Sequence, residues 1–236
     1  MTGLPERVGD ARLFLIRHGQ ARLGHDDYDQ LSALGRRQAR QLGERLAAVL
    51  GGPCVLWTGT HRRHRQTAST LAPGFRARIE ACLDEFQTHA LVRAALAQSD
   101  VLAEDPPARH QLARPEQHLQ TLLNWFPTVL AAWQSERLQV AGGSTWRSFH
   151  ARVQTPLEDW QRDLAAGRNI IVVTSAGVIS TLVAALCGRE LDWQRRLAVQ
   201  LYNASVSTLR RCTSGWEAEG VNCIKHLHGT RLRTLA

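Results

Sequence analysis

The sequence predicts an α/β fold: a three-layer sandwich in which a mostly parallel, doubly wound sheet is covered by helices on both faces. Short apolar runs of strand length alternate with longer segments of helical periodicity. The strand segments are apolar throughout, as is typical of strands buried on both faces. A long helical stretch interrupts the alternation after the third strand. We therefore expect a single domain over 1–236, with a helical cap or insertion at about 86–145.

Each element has local support. The first helical segment carries Leu42 and Leu46 on one face, begins after Ser32, a favoured N-cap residue, and ends at Gly51-Gly52. Pro127 is expected to kink a later helix. In chain order we predict a strand at 12–17, a helix at 31–50, a strand at 54–59, a helix at 61–72, a weaker strand at 77–83, helical segments at 90–104, 116–137 and 145–166, a strand at 169–175, a helix at 177–187, and strand-like segments at 203–211 and 216–227.

The composition is that of an ordinary soluble globular protein, with 44% hydrophobic and 21% charged residues. No run approaches the roughly 18 apolar residues of a membrane helix. Pro5, Glu6 and Asp10 interrupt the region where a signal peptide would have its apolar core, so we expect neither a signal peptide nor membrane association. The five cysteines are scattered without a Cys-x-x-Cys pair, which is typical of reduced thiols in a cytoplasmic protein.

The positive charge of the chain does not predict nucleic-acid binding. The net charge is +8, but Lys225 is the only lysine among 29 basic residues, and the arginines are spread along the whole chain. A nucleic-acid-binding protein usually carries a basic run or tail, and this sequence has neither. We expect no nucleic-acid partner and interpret the charge as attraction for an anionic substrate.

Polar side chains follow the ends of four predicted strands. Residues 17–20, which include Arg17 and His18, follow the first strand, residues 58–64 the second, Glu85 the third and residues 174–177 the fourth. Ligands of open α/β sheets bind outside the carboxyl ends of the strands, so we expect these side chains to converge. Guanidinium groups beside a histidine suit a dianionic group such as phosphate, because their planar forks match its oxygens.

The segment LFLIRHGQ at 13–20 resembles the signature of the histidine phosphatase superfamily, also called the phosphoglycerate mutase-like family. Further segments resemble later motifs of that family in order and spacing, over about residues 12 to 210. These segments are Leu34–Ala39, Arg63–Ala68, Leu83-Asp84-Glu85, Gly142-Gly143 with Arg152-Val153, and Tyr202–Ser205.

The resemblance implies a phosphomonoester hydrolase that acts through a phosphohistidine intermediate on a small phosphorylated metabolite or a phosphoprotein. His18 would be the nucleophile and must therefore be neutral. Arg17 and Arg63 would bind the phosphoryl oxygens and offset the charge that develops during transfer. Glu85 would protonate the leaving oxygen and later deprotonate the attacking water. The resemblance implies neither a metal nor another cofactor.

The sequence departs from the family pattern at two places. Ser175-Ala176 stands where the family has its second histidine, in a His-Gly pair, and Leu23-Gly24 replaces a Trp-Asn pair. Ser175 can donate one hydrogen bond but brings no positive charge, and the loss of one preorganised donor costs about 10²–10³ in rate. Either His64 or His89 could fill the vacated volume. The chain thus resembles a branch with Ser in place of the second catalytic His, although Ser175 could also be an ordinary helix-capping residue.

Other interpretations stay open at this point. Without the second histidine, the chain could be a catalytically weakened relative that binds a phosphorylated ligand as a sensor or scaffold. Residues 173–177 lie at a strand–turn–helix junction like the nucleophile elbow of a serine hydrolase, but the glycine two residues before the serine is missing. Arg62 or Arg65 could take the role given to Arg63, and Glu85 could be a surface carboxylate.

Overall fold

The computed structural model describes residues 11–24 and 27–235. Pro5, Glu6 and Asp10, from which we expect no signal peptide, lie outside the described residues. The strands of the described part form one six-stranded sheet in the order β3-β2-β4-β1-β5-β6. They are β1 (Arg12–Arg17), β2 (Cys54–Thr58), β3 (Arg78–Ile79), β4 (Asn169–Thr174), β5 (Val206–Cys212) and β6 (Gly215–Cys223).

The centre of the sheet is parallel. β4 pairs in parallel with β1 and β2, and β2 pairs in parallel with β3. β5 pairs antiparallel with β1 and β6. β4 is buried at every position, as its place between β1 and β2 requires. The mixed α/β fold with a mostly parallel sheet is therefore confirmed.

Helices cover both faces of this sheet. In the described part of the chain they are α1 (Ala33–Val49), α2 (Arg62–Leu71), α3 (Thr88–Ala97), α4 (Arg109–Ala113), α5 (Leu119–Gln134), α6 (Trp146–Val153), α7 (Leu157–Ala165), α8 (Ala176–Leu186) and α9 (Leu191–Gln200). No helix in this part of the chain is long and apolar enough to span a membrane.

The core has two layers because side chains alternate along each strand. Phe14 and Ile16 of β1 pack in one apolar cluster with Leu42 of α1. Leu13 and Leu15 point to the opposite face and belong to a larger cluster that includes residues of α5 to α8. The sheet is thus enclosed between two helical layers, which is the predicted three-layer arrangement.

The structure corrects several element predictions. The third strand has only the two residues Arg78–Ile79, followed by a 3₁₀ turn at Ala81–Leu83. Both strand residues are exposed at the edge of the sheet, so no second neighbour extends the pairing. The helix predicted at 145–166 is two helices, because Pro156 has no amide hydrogen with which to continue the first. α9 was not predicted at all.

The helical stretch between β3 and β4 has its own aromatic packing. Phe86 contacts the rings of Phe126, Trp133 and Phe149, and Trp133 also contacts Trp146. Pro127 lies inside α5 without ending it. This packing joins the helices that follow β3 to the segment that carries Glu85, immediately before Phe86.

Candidate active site

The predicted site residues lie around the carboxyl ends of β1 and β4. The His18 amide donates to the Thr174 carbonyl oxygen at 2.9 Å, so the residue after β1 is bonded to the last residue of β4. Gly19 follows without a side chain because a Cβ there would be 2.5 Å from the Gly35 carbonyl oxygen. The loop after β1 therefore packs directly on the backbone of α1.

The His18 imidazole is arranged to act as a nucleophile. Its Nδ1 is 2.8 Å from the Gly19 carbonyl oxygen, which can only accept, so Nδ1 carries the proton and Nε2 keeps its electron pair. The residue is only 4% exposed. Burial, followed by the charges of Arg63 and Arg17, holds the pKa of His18 well below its ordinary value. A neutral ring at neutral pH is the state that a nucleophile needs.

Arg63 is the arginine of α2 that faces this ring. Its Nε is 3.3 Å from His18 Nε2, and the residue is 8% exposed. Asp29 holds the guanidinium from the other side, with Oδ1 2.8 Å from Nη1, and the Tyr28 ring lies 5.4 Å from it. By contrast, Arg62 is exposed and pairs with a carboxylate at the surface.

Asp29 also fixes the start of α2. Its Oδ2 accepts from the Arg62 amide at 2.8 Å, so one carboxylate orients both the helix and the Arg63 side chain. Arg65 lies on the exposed side of the same helix. Of the three neighbouring arginines, the structure brings Arg63 to His18.

Arg17 contributes a second guanidinium group. Its Nη1 donates to the Leu201 carbonyl oxygen, while its buried Nε has no hydrogen-bond partner among the described residues. Burial lowers the pKa of Arg17 to about 10, against the opposing effects of Tyr28 and Glu85. A buried donor left unpaired costs about 1–3 kcal/mol, which an anionic ligand can offset by accepting from it.

Glu85 lies beside the N-terminus of α8. Its Oε2 accepts from the Gly177 amide at 2.8 Å and its Oε1 from the Phe86 amide at 3.1 Å. Burial raises the pKa of Glu85, and these two hydrogen bonds and the nearby arginines oppose the rise. A raised pKa favours the protonated form of the carboxyl group, which is the form that a general acid needs.

Two side chains, one from α6 and one from β4, fix the segment that carries Glu85, although the residue follows a 3₁₀ turn rather than a strand. The Arg152 guanidinium donates to the carbonyl oxygens of Ala81, Cys82 and Asp84 at 2.7, 2.9 and 2.8 Å. The Thr174 hydroxyl donates to the Leu83 carbonyl oxygen. Arg152 belonged to a recognised motif, but the sequence did not reveal this positioning role.

Ser175 and His64 form a buried pair. His64 Nε2 is 2.6 Å from Ser175 Oγ, and the two residues are 0% and 2% exposed. The His64 ring centre lies 5.5 Å from that of His18. Ser175 occupies the N-cap position of α8, but its side chain makes no capping hydrogen bond. Its hydroxyl is therefore directed to His64 rather than to the helix.

The two histidines considered as substitutes have different surroundings. His64 adjoins both Ser175 and His18, as described above. His89 is an exposed residue of α3, and no hydrogen bond of the described residues connects it to the site. Of the two, the structure brings only His64 beside His18.

Several residues that support the site were missed in the sequence. Thr67 Oγ1 accepts from the Gly19 amide at 3.1 Å and donates to the Arg63 carbonyl oxygen at 2.7 Å. Asp29 and Tyr28 also contact Arg63. Asp29 lies 34 residues before Arg63, and no local pattern in the sequence pointed to this contact.

Thr234, near the C-terminus, is hydrogen-bonded to two side chains that contact the loop after β1. Asn203 donates to the His18 carbonyl oxygen at 3.4 Å and accepts from the Thr234 hydroxyl at 2.8 Å. Gln38 accepts from the Gln20 amide at 2.8 Å and donates to Thr234 Oγ1 at 2.9 Å. The buried amide side chains of Asn203 and Gln38 thus connect the loop after β1 to Thr234.

Comparison with known proteins agrees with this architecture. Residues 13–224 match the family described as Histidine phosphatase superfamily (branch 1). A search of curated proteins gives no match. The fold is similar to a mycobacterial glucosyl-3-phosphoglycerate phosphatase in complex with VO3, at TM-score 0.62 and 23% identity, over 91% of this chain and 100% of the other.

Two further solved structures share the fold. One is a phosphoserine phosphatase mutant from Entamoeba histolytica in complex with phosphoserine, at TM-score 0.61 and 16% identity, over 92% of this chain and 99% of the other. The other is the alpha-ribazole phosphatase from Shigella flexneri, at TM-score 0.60 and 19% identity, over 90% of this chain and 96% of the other.

Proposed function

Since this chain belongs to the histidine phosphatase superfamily, we propose that it hydrolyses phosphate monoesters through a phosphohistidine intermediate on His18. The observation that carries the proposal is the geometry of the His18 ring. Nδ1 donates to the Gly19 carbonyl oxygen, and Nε2 faces the Arg63 guanidinium across 3.3 Å. An electron pair is therefore held next to a cation that can bind the oxygens of the phosphoryl group under attack.

The first half-reaction forms the intermediate. The phosphoryl dianion binds between Arg63 and the unpaired Nε of Arg17. His18 Nε2 attacks phosphorus and the bond from phosphorus to the ester oxygen breaks. Glu85 gives its proton to that oxygen, so the product leaves as a neutral alcohol. The arginines offset the negative charge on the transferred group throughout.

The second half-reaction clears the enzyme. Glu85, now a carboxylate, takes a proton from water, and the water oxygen attacks phosphorus. The nitrogen–phosphorus bond breaks, inorganic phosphate leaves, and His18 and Glu85 return to their starting states. The raised pKa of Glu85 supports both steps, because the group must hold the proton in one and accept it in the other.

The substrate class we propose is a small phosphorylated metabolite, with a phosphoprotein as the alternative. The structural neighbours named above act on glucosyl-3-phosphoglycerate, phosphoserine and alpha-ribazole phosphate, by their names. We assign the choice of leaving group to the helical insertion at 86–145 within a single domain. Glu116 of this insertion lies 3.0 Å from where a side chain at Gly24 would begin, so the insertion contacts the loop after the nucleophile.

Trapping the intermediate tests this function. After brief exposure to a labelled aryl phosphate and an alkaline quench, the phosphoryl group should be found on His18. His18→Ala should abolish both the label and turnover. Label on Ser175, or turnover without any label, would contradict the mechanism. Binding of inorganic phosphate without turnover of any phosphate ester would instead identify the weakened sensor or scaffold.

A second candidate function is that of a serine hydrolase. The 2.6 Å contact between His64 Nε2 and Ser175 Oγ favours it, since it resembles a nucleophile with its base. The Ser175 backbone is extended, at φ −109° and ψ 168°, without the strain typical of a nucleophile elbow. Hydrolysis of a carboxylic ester that needs Ser175 and survives His18→Ala would establish this function, and phosphatase activity that needs His18 would exclude it.

A further inference from the structure

His64 and Ser175 form a buried polar pair in which one ring nitrogen has no hydrogen-bond partner among the described residues. Both residues are buried, and the Ser175 hydroxyl does not cap α8. Burying two polar side chains is costly unless their hydrogen bonds are satisfied. Yet His64 Nδ1 is buried without a hydrogen-bond partner among the described residues. Such an atom calls for an explanation in function.

A carboxylate lies on the unpaired side of the ring. Asp84 Oδ1 is 3.9 Å from His64 Nδ1, and the same atom accepts from the Thr60 amide at 2.6 Å. Gly59 keeps the space between the two groups open. A Cβ at residue 59 would lie 2.4 Å from His64 Nδ1 and 2.6 Å from Asp84 Oδ1. The ring thus has a hydroxyl at one nitrogen and an anion near the other.

Neither neutral form of the ring can donate towards Asp84 and also leave the Ser175 hydroxyl free to donate to a ligand. If Nδ1 carries the proton, Nε2 must accept from the Ser175 hydroxyl, whose hydrogen then points away from any ligand. If Nε2 carries the proton, the hydroxyl is free to donate elsewhere, but a lone pair on Nδ1 faces the Asp84 carboxylate. Only the doubly protonated ring donates towards both sides.

We propose that His64 takes up a proton when a phosphate dianion binds, and that the protonated ring then holds the Ser175 hydroxyl so that it donates to a phosphoryl oxygen. The proton comes from the solvent and returns to it when phosphate leaves, and no other bond changes. His64 is therefore a positioning residue that acts through Ser175. This inference rests on the proposed function, because it requires a phosphoryl group beside His18.

The surrounding charges explain why the proton arrives with the ligand. His64 faces His18 from the end of β1, Arg63 and His61 from its own helix, and Asp84 from the turn after β3, while Glu85 lies next to Ser175 at α8. Without a ligand, burial and then His18, Arg63 and His61 hold the pKa of His64 well below its ordinary value. A dianion bound by Arg63 reverses the local excess of positive charge and favours the protonated ring.

Calorimetry tests this proton uptake without any turnover. Tungstate, a dianion that is not hydrolysed, is titrated into the full chain near neutral pH in two buffers of different ionisation enthalpy. The difference in apparent enthalpy reports the protons taken up. We expect about one proton for the unchanged protein, since one group changes state. Tungstate binding with no net uptake would overturn the inference while leaving the phosphohistidine mechanism intact.

His64→Gln is the decisive variant. A glutamine amide can still donate to Ser175 Oγ, but it cannot take up a proton. We expect the uptake to disappear and the affinity for tungstate to fall by about tenfold, as for the loss of one charge-assisted contact. Uptake that is unchanged in this variant would refute the role of His64.

Two controls and one independent variant complete the test. His61→Gln makes the same change in a neighbouring histidine whose ring lies 5.1 Å from His64, and Glu85→Gln removes the other protonatable group beside the site. Both should retain the uptake, and its loss in either would overturn the assignment to His64. If His64→Gln does not fold, Asp84→Asn leaves the histidine in place and should still reduce the uptake. Uptake unaffected by Asp84→Asn would also contradict the inference.

If tungstate does not bind and no label is trapped on His18, the proposed function fails together with this inference, whereas trapped label without tungstate binding overturns only the inference. Trapping of label on His18 in the unchanged protein is independent of calorimetry. The two results therefore separate a wrong function from a wrong role for His64.

Discussion

The candidate site at the strand ends and the helical insertion are stabilised by different kinds of interaction. At the ends of β1 and β4, buried polar groups contact one another, as in the pairs His18 with Arg63 and His64 with Ser175. In the insertion the buried residues are apolar, such as Leu91 and Leu130, with the exception of Gln134. Directional hydrogen bonds fix the position of reacting atoms, whereas apolar contacts tolerate small displacements. Changes in the insertion should therefore cost stability, and changes at the strand ends should cost rate.

The largest expected effect is on the stability of the insertion. Leu130 in α5 is 0% exposed, so Leu130→Ala should lower the free energy of unfolding by about 2–5 kcal/mol through lost burial and a cavity. Chemical denaturation measures this loss, and the kcat/KM of the folded variant should stay within about threefold of the original. The exposed Leu96 provides the control, since Leu96→Ala should change little. A large fall in kcat/KM with unchanged stability would break the distinction between the two regions.

A substitution at the strand ends should have the opposite outcome. Arg63→Ala removes the guanidinium beside His18 Nε2, where we propose that the phosphoryl group binds, so kcat/KM should fall by about 10² or more. Arg62→Ala is the matched control, because Arg62 is exposed and pairs with Asp27 at the surface. Steady-state kinetics on an aryl phosphate measures both variants. If Arg62→Ala has the larger effect on kcat/KM, the binding of the phosphoryl oxygens has been assigned to the wrong arginine.

The buried side chain of Gln194 connects the insertion to α8, the helix that begins at the candidate site. Gln194 of α9 accepts from Gln134 of α5 at 2.6 Å and donates to Ser180 of α8 at 2.9 Å. Gln194→Ala leaves the Gln134 amide nitrogen without its acceptor, and we expect a loss of about 1–3 kcal/mol in the free energy of unfolding. Thermal or chemical unfolding measures it. If Gln194→Ala leaves the free energy of unfolding unchanged, apolar contacts alone account for the stability of the packing between the insertion and α8.

The smallest expected effect is a difference in acid sensitivity. The pKa of His64 is lowered in the folded protein, so the unfolded chain binds more protons once the pH falls below about 6.5. The original protein therefore loses stability from His64 as the pH falls through that window, and His64→Gln should lose less. Glu85, whose pKa is raised, acts in the opposite direction as the pH rises above its ordinary value. Unfolding free energies measured at several pH values test this, and identical slopes for the two proteins would contradict it.

The sequence by itself determined the sheet and the position of the site. Apolar runs and the Ser32 cap are local signals, and β1, β2, β4, α1, α2 and α8 were predicted close to their observed bounds. Parallel strands of one sheet end at the same edge, so residues just after those strands could be expected to meet. The resemblance to the family then singled out His18, Arg63 and Ser175 within these segments, and in the structure His18 follows β1, Ser175 follows β4 and Arg63 lies in the first turn of α2.

Only the tertiary structure decided which side chains form pairs. His64 and Ser175 are 111 residues apart, and Asp29 reaches Arg63 from a loop with no pattern of its own. β3 is only two residues long and lies at the edge of the sheet, a position that the sequence of β3 does not reveal. Local patterns report the periodicity of burial along one segment, whereas a side-chain hydrogen bond depends on how two distant segments pack. Side-chain hydrogen bonds between distant segments, such as those of His64 and Asp29, therefore become visible only in the folded structure.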